Sequence, residues 1–314
     1  MHNIFYNIQL KTIKNQMCNG GLKMIYELKN EFLSVKISDK GAELKSVRAK
    51  DGTEYIWQTH PAFWNDSAPI MFPMCSRLWE KTYTYKGKSY TLKTHGFASI
   101  SVFSVKQISD TSITFEIVSN DITRESYPFE FVFTVTYLLD GNKLSCSMNV
   151  FNPADNTLIF SIGGHPGFNV PLARGLKFSD YYIDFGNPCE PQSVCFSDNG
   201  FFTGEMIPFP LKDGHILDLK HSLFDIEGVF LANTNGTFTL KTDRDTHSIS
   251  IYAPNINFIG LWHECATDAP FLCIEPWTGM SSVEGIHDDF ETKAYMTHLP
   301  AHQNYSFDFE MKFN

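Results

Sequence analysis

Basic side chains are scarce in this sequence: 25 Lys and Arg stand against 35 Asp and Glu, a formal charge of −10. Only five are arginines, Arg48, Arg77, Arg124, Arg174 and Arg244, and no Lys/Arg run occurs. A negative field repels phosphate backbones, so no nucleic-acid partner is expected, and little is available for an Arg-lined phosphate site. The seven cysteines (Cys18, Cys75, Cys146, Cys189, Cys195, Cys265, Cys273) are odd in number and form no C-x-x-C pair. That spacing points to free thiols in a reducing, cytoplasmic setting and away from disulfides or a zinc knuckle. No apolar run approaches the roughly 18 residues that would span a membrane. The first residues also lack the apolar core of a secretory signal, their longest apolar run being Ile4-Phe5-Tyr6.

Several catalytic signatures are missing as well. There is no G-x-G-x-x-G, no P-loop lysine motif and no G-x-S-x-G elbow. His263-Glu264 is followed by Thr267 where a zincin would carry its second histidine. His298 and His302 are four apart, but Pro300 lies between them in a strand-like stretch, which removes helical ligand geometry. No metal site is expected from these spacings.

What is present is a globular chain of 314 residues, 43% hydrophobic and 19% charged, long enough to bury a large core. Residues 1–23 differ from the rest, being polar and without alternation. Asn19-Gly20-Gly21-Leu22-Lys23 can be encoded by a stretch containing GGAGG just ahead of the Met24 codon, as a bacterial ribosome-binding site would be. Residues 1–23 are therefore expected to be a non-native or disordered extension, and N-terminal sequencing of the naturally encoded protein checks this. From Met24 the dominant period is two. Phe32 to Ser38 alternates, as do Ser112 to Val118, Thr237 to Thr242 and His247 to Tyr252. Phe129, Phe131, Phe133, Val135 and Tyr137 share one face, Asp140-Gly141-Asn142 turns the chain, and Leu144, Cys146, Met148 and Val150 return. No dozen residues carry a helical apolar stripe, and 28 Phe and 13 Tyr suit pleated surfaces. The expectation is an all-β, large antiparallel β-sandwich, residues 24–314 forming a single domain.

Three stretches break the alternation. The first runs from Pro73 to Ala98 and holds Arg77, a strand-like Tyr83 to Leu92, and His95-Gly96, where the glycine lets the backbone turn and present the imidazole. Taken alone, Arg77 and His95 read first as surface or turn residues. The second, Gly163-Gly164-His165-Pro166-Gly167-Phe168-Asn169, surrounds one imidazole with three glycines, and Pro166 restricts His165 to extended conformations. It is either a tight turn or a device for fixing a side chain. In the third, Phe271-Leu272-Cys273-Ile274-Glu275-Pro276-Trp277-Thr278-Gly279, Glu275 interrupts an apolar strand at its end. Partial desolvation there would raise its pKa and make it a better base, unless it simply pairs with a surface lysine. Trp277 offers a flat apolar face of the kind that stacks on sugar C–H groups.

Together these residues carry a resemblance. Phe72-Pro73 with Arg77, Gly87-Lys88-Ser89-Tyr90 leading to His95-Gly96-Phe97-Ala98, the Gly163-to-Phe168 loop, and Cys273-to-Gly279 stand in order and at spacings similar to the aldose 1-epimerase (galactose mutarotase-like) family. The LacX-like branch, related to hexose-6-phosphate 1-epimerases, is the most similar, and the resemblance covers nearly everything after Met24. It implies a galactose mutarotase-like supersandwich with a sugar in an open cleft, no metal and no organic cofactor. It further implies Glu275 as general base, His165 as general acid, and His95 and Arg77 as groups holding the ring oxygen and hydroxyls. The chemistry agrees independently. Opening a hemiacetal takes one proton off an oxygen and puts one on its neighbour, so an acceptor and a donor suffice.

Ser99 departs from the branch, which often has arginine after His-Gly-Phe-Ala, and this weighs against a sugar 6-phosphate. The family's substrate-binding Asp has two candidate counterparts, Glu227 first and Asp225 second. The expected activity is mutarotation of a hexose by a monomer or homodimer, with a small-molecule sugar as partner. The alternatives are a hexose-6-phosphate 1-epimerase, a non-catalytic carbohydrate-binding protein and, more remotely, a two-carboxylate glycosidase.

Overall fold

The computed structural model describes residues 13–18 and 21–314, with side chains from Met24 onward. The expectation that residues 1–23 are a non-native or disordered extension lies outside the described residues where it concerns 1–12 and 19–20. The period-two runs become strands. Val132–Asp140 and Lys143–Phe151 pair antiparallel from Val132↔Phe151 to Asp140↔Lys143, so Gly141-Asn142 is the whole turn. Gly141 has φ 56°, the positive value that a two-residue hairpin turn requires. Phe133, Val135 and Tyr137 face Val150, Met148 and Cys146 across the hairpin, and all six are buried.

This hairpin sits inside a nine-stranded antiparallel sheet. Its order is Ile216–Asp218, Tyr182–Asp184, Thr237–Lys241, Ile249–Tyr252, Asn304–Phe313, Lys143–Phe151, Val132–Asp140, Ser112–Val118 and Ser104–Ile108. A second antiparallel sheet runs Phe202–Pro208, Gln192–Phe196, Val229–Ala232, Phe258–Trp262, Phe271–Trp277, Gly163–Gly164 and Ile70–Met71, with Gly167–Asn169 also pairing to Phe271–Trp277. The two sheets pack face to face. Phe72, at the end of the second sheet, stacks on Phe133 of the first at 4.5 Å between ring centroids, and it touches Phe131, Phe160, Tyr127 and Phe97. Burying an aromatic ring of this size contributes roughly 2–3 kcal/mol.

The alternation in the second sheet decides where a site can form. Leu272 and Ile274, Ile259 and Leu261, Val229 and Leu231 enter the core shared by the two sheets. Their neighbours Cys273 and Trp277, Phe258, and Phe230 and Ala232 belong to separate clusters on the opposite face. Strand Phe271–Trp277 is buried at all seven positions because both of its faces are covered.

One local expectation changes. Tyr83 to Leu92 is not one strand but a hairpin, Thr82–Tyr85 and Lys88–Thr91, turned by Lys86 (φ 49°) and Gly87 (φ 72°). Only Tyr83 and Tyr85 of its first strand are buried, so the polar residues around the turn gave no break to read. One short α-helix, Asp121–Ser126, is capped by Asn120, which accepts from the Thr123 N–H, and it buries no residue. The six described cysteines are free thiols, and no helix among the described residues is long and apolar enough to cross a membrane.

Candidate active site

Sheet register brings the principal pair together. Gly163 pairs with Trp277 and Gly167 with Cys273 on the same strand, so counting two residues inward from each sets His165 opposite Glu275. Directly opposed residues have Cβ atoms about 4.5–5.5 Å apart. The Ile274 N–H donates to the Pro166 carbonyl at 3.1 Å, and the His165 N–H donates to the Pro69 carbonyl at 3.0 Å. Both bonds hold the His-Pro step in the sheet. The side chains meet with His165 Nε2 3.3 Å from Glu275 Oε2.

The glycines of this loop serve a purpose other than turning. None of Gly163, Gly164 and Gly167 has a positive φ. A Cβ on Gly163 would sit 2.7 Å from the Pro276 carbonyl oxygen, and one on Gly167 would sit 2.8 Å from the Trp64 ring. They leave sideways room. On the far side of Glu275, Gly260 is its register partner and gives the Phe230 ring its space.

Glu275 is 1% exposed, and it lies inside the strand, not at its end. Burial, with the charge of Glu227 added, pushes its pKa well above the ordinary carboxylate range, while a hydrogen bond from Trp277 Nε1 to Oε2 at 3.1 Å opposes the shift. Burial, with His95 nearby, holds His165 well below the usual imidazole range. Both shifts favour the uncharged forms, carboxyl and imidazole, over a carboxylate–imidazolium pair. The second oxygen of Glu275 and Nδ1 of His165 are buried without hydrogen-bond partners. Trp64 stacks on the His165 ring at 4.9 Å, and Trp262 meets it edge-on at 5.6 Å.

His95 has φ 61° and Gly96 φ 74°, so the backbone turn expected at this glycine extends through the histidine. A Cβ on Gly96 would fall 2.3 Å from the Phe72 carbonyl oxygen. The Ser76 N–H donates to His95 Nδ1 at 3.1 Å, while the His95 N–H donates to the Ser76 carbonyl at 2.8 Å. With Nδ1 accepting, the neutral ring carries its proton on Nε2. Burial and then the Arg77 charge push its pKa down to about 4, so His95 is a neutral donor. Its ring lies 5.4 Å from that of His165 and 5.7 Å from that of Trp277. Arg77 donates from Nη2 to Glu227 Oε2 at 3.0 Å.

All five expected residues, Glu275, His165, His95, Arg77 and Trp277, line one cavity of about 300 Å³. That is at the small end of the range for small-molecule sites. Glu227 lines it too, whereas Asp225 does not, which decides between the two candidates for placement. Trp277 is only 2% exposed and its indole N–H is spent on Glu275, so it offers little face to a ligand. The partly exposed rings in the wall are Trp64, Trp262 and Phe196. Sequence reasoning missed these. Trp64 lies in an irregular loop with no periodicity to mark it, but Trp262 alternates with Gly260 on the cleft face of its strand. Cys273 was also missed as a neighbour of the pair, although it shares a face with Glu275 two residues on.

An open cleft over one sheet of so large an antiparallel sandwich, with a buried His–Glu pair in its wall, is the arrangement of the galactose mutarotase-like class. Comparison with known proteins is more specific: residues 24–299 match the aldose 1-epimerase family, and the chain belongs to that family. It is 32% identical over 270 residues to the chromosomal LacX protein of Lactococcus lactis subsp. lactis, covering 82% of this chain and 89% of that one. Among solved structures it is similar to a galactose mutarotase related enzyme from Lactobacillus acidophilus (33% identity, TM-score 0.89, 93% of this chain and 97% of that one). It is also similar to a galactose mutarotase-like protein from Lactobacillus casei ATCC 334 (31% identity, TM-score 0.87, 92% and 100%). The family is one of isomerase-type enzymes acting on sugars.

Proposed function

We propose that the chain is an aldose 1-epimerase interconverting the α and β anomers of a neutral hexose such as galactose or glucose. The observation that carries this reading is the register-opposed pair, His165 and Glu275, 3.3 Å apart in the wall of the cavity. Glu275 takes the proton of the C1 hydroxyl, and His165 protonates the ring oxygen as the C1–O5 bond opens. The reaction needs the pair to hold one proton in total, and carboxyl plus imidazole is the same count as carboxylate plus imidazolium. An incoming pyranose replaces the direct contact with its own two oxygens. After rotation about C1–C2 the aldehyde presents its other face. His165 then recovers the proton from O5, the ring closes, and Glu275 returns its proton to O1. Each positioned proton transfer contributes roughly 10²- to 10⁴-fold.

His95 donates from Nε2 to the ring oxygen or a neighbouring hydroxyl, and Arg77 holds hydroxyls with the guanidinium N–H groups that Glu227 leaves free. Trp277 orients Glu275, and the exposed faces of Trp64, Trp262 and Phe196 meet sugar C–H groups.

Charge favours a neutral sugar over a hexose 6-phosphate. Arg77 is the one Lys or Arg side chain among the described residues of the cavity wall, it is already paired with Glu227, and Asp66 adds a further acidic group. Ser99 lines the cavity where a further cation would help. The test is polarimetry of freshly dissolved α-galactose, α-glucose and glucose 6-phosphate with the spontaneous rate subtracted. Faster mutarotation of a neutral hexose is expected. Sugar binding without acceleration of any of the three would make the chain a carbohydrate-binding protein and overturn the proposal.

A further inference from the structure

Cys273 lies under the acid/base pair, and the proposed reaction does not use it. Its sulfur, a ring nitrogen of His165 and a carboxylate oxygen of Glu275 all lie within 4.8 Å of one another, and all three residues are buried. Cys273 and Glu275 project from the same face of one strand, and His165 comes from the short link between the neighbouring strands Gly163–Gly164 and Gly167–Asn169. The room is provided by Gly167, the register partner of Cys273, where a Cβ would stand 3.3 Å from the sulfur.

We propose that His165, Cys273 and Glu275 form a binding site for a soft divalent cation of the zinc class, and that its occupancy shuts the epimerase off. Imidazole, thiolate and carboxylate are the three donor types zinc takes. Bonds of about 2.0 Å to nitrogen and oxygen at a tetrahedral angle set those two atoms about 3.3 Å apart. The observed Nε2 to Oε2 separation is 3.3 Å. The sulfur, with a bond of about 2.3 Å, needs to approach by roughly 1 Å. The second oxygen of Glu275 and Nδ1 of His165 are buried without partners, so no competing bond through those atoms ties either group away from a cation held between Nε2 and Oε2. His165 and Glu275 line the cleft, which supplies the entry path, and Cys273 lies behind them, outside the cavity wall. Hard cations such as Mg²⁺ and Ca²⁺ prefer oxygen donors in greater number than this trio offers.

Binding displaces the Cys273 thiol proton and the proton held by the His165–Glu275 pair, both to solvent, and the cation takes their place. The occupied imidazole and carboxylate have no proton to move. The shut-off rests on the acid/base reading above, whereas the binding itself does not.

Co²⁺ added to the reduced full-length protein is the probe, because a tetrahedral Co²⁺–thiolate centre shows a sulfur-to-metal charge-transfer band with intense visible d–d bands. The expected result is one Co²⁺ per chain, displaced by Zn²⁺, with the bands lost in Cys273→Ala. In parallel, ZnCl₂ should slow mutarotation, EDTA should restore it, and Cys273→Ala should raise the half-inhibiting zinc concentration about tenfold or more. The zinc-free rate of that variant should stay within a few-fold of wild type. Should Cys273→Ala fail to give a native circular dichroism spectrum, Cys273→Ser serves instead, with the same expected loss of the charge-transfer band. Absence of a thiolate band in the wild type, or equal zinc sensitivity in the cysteine variant, overturns the site. Cobalt bands lost with Cys273, together with a mutarotation rate undiminished by bound metal, would overturn the shut-off and the proton roles of His165 and Glu275 with it.

Discussion

Replacing Glu275 by glutamine isolates proton acceptance from every other service that side chain performs. The amide has the same shape, and its carbonyl oxygen can still accept from Trp277 Nε1, which now lies 3.1 Å from Oε2. The neighbours Gly260 and His165 keep their positions opposite it in the sheet. What disappears is the group that takes the C1 hydroxyl proton in the proposed reaction. General-base loss of about 10²- to 10⁴-fold in kcat corresponds to about 3–5.5 kcal/mol on the barrier. KM should change little, because the missing interaction develops only in the transition state. Stability should move the other way. Glu275 is a buried carboxyl whose second oxygen has no partner. Exchanging it for an amide that cannot ionise leaves the urea midpoint unchanged or higher, unlike most substitutions at buried positions. The two assays are polarimetry on fresh α-galactose and urea unfolding followed by tryptophan fluorescence. A variant with wild-type turnover removes Glu275 from the chemistry. A variant that loses turnover and stability together points to misfolding instead and refutes the argument as made.

Three further outcomes are expected. Gly163→Ala places a methyl 2.7 Å from the Pro276 carbonyl oxygen and 2.8 Å from the Met71 side chain. Overpacking of this kind should cost about 1–3 kcal/mol in urea unfolding and lower kcat, because the strand that carries His165 must move away from Glu275. Glu227→Gln removes one negative charge from the cavity and frees the Arg77 guanidinium. The ratio of kcat/KM for a hexose 6-phosphate over the neutral hexose should rise by about tenfold, the effect of roughly 1–2 kcal/mol of relieved repulsion, and an unchanged ratio would separate Arg77 from the substrate. Far from the site, burial raises the Asp184 pKa, but Lys241 Nζ at 2.6 Å, His215 Nδ1 at 2.9 Å and the Gly186 N–H outweigh it and bring it down to about 2. This folded value lies below the unfolded value of about 3.9, so the stabilisation is complete above about pH 4 and is lost as pH falls toward 2. About 2 kcal/mol is at stake, and a plot of Tm against pH for Asp184→Asn should lack that acid limb.

The fold was legible because its strands alternate cleanly. Phe133, Val135 and Tyr137 against Thr134 and Thr136 can face a core only as a strand, and the return through Leu144 to Val150 requires a partner. Hairpins such as Thr82–Tyr85 with Lys88–Thr91 were not legible as two strands, because Lys86-Gly87 is embedded among residues polar on both sides. The site was half legible. Glu275 stood out because a carboxylate in an otherwise apolar strand needs a reason, and His165 stood out because glycines surround it. Why those glycines are there could not be read, since their job is sideways clearance from Trp64, Met71 and the Pro276 carbonyl, which are distant in sequence. The same holds for the pair itself. His165 and Glu275 are more than a hundred residues apart in the chain, and nothing local says that they meet. Register does: once Gly163 pairs with Trp277 and Gly167 with Cys273, no other residue of that segment can stand opposite the carboxylate. A slip of one position would turn the imidazole to the core side and set Pro166 across from Glu275. The His165–Glu275 geometry is thus a property of strand pairing before it is a property of either side chain, and the clearance glycines are what permits that pairing.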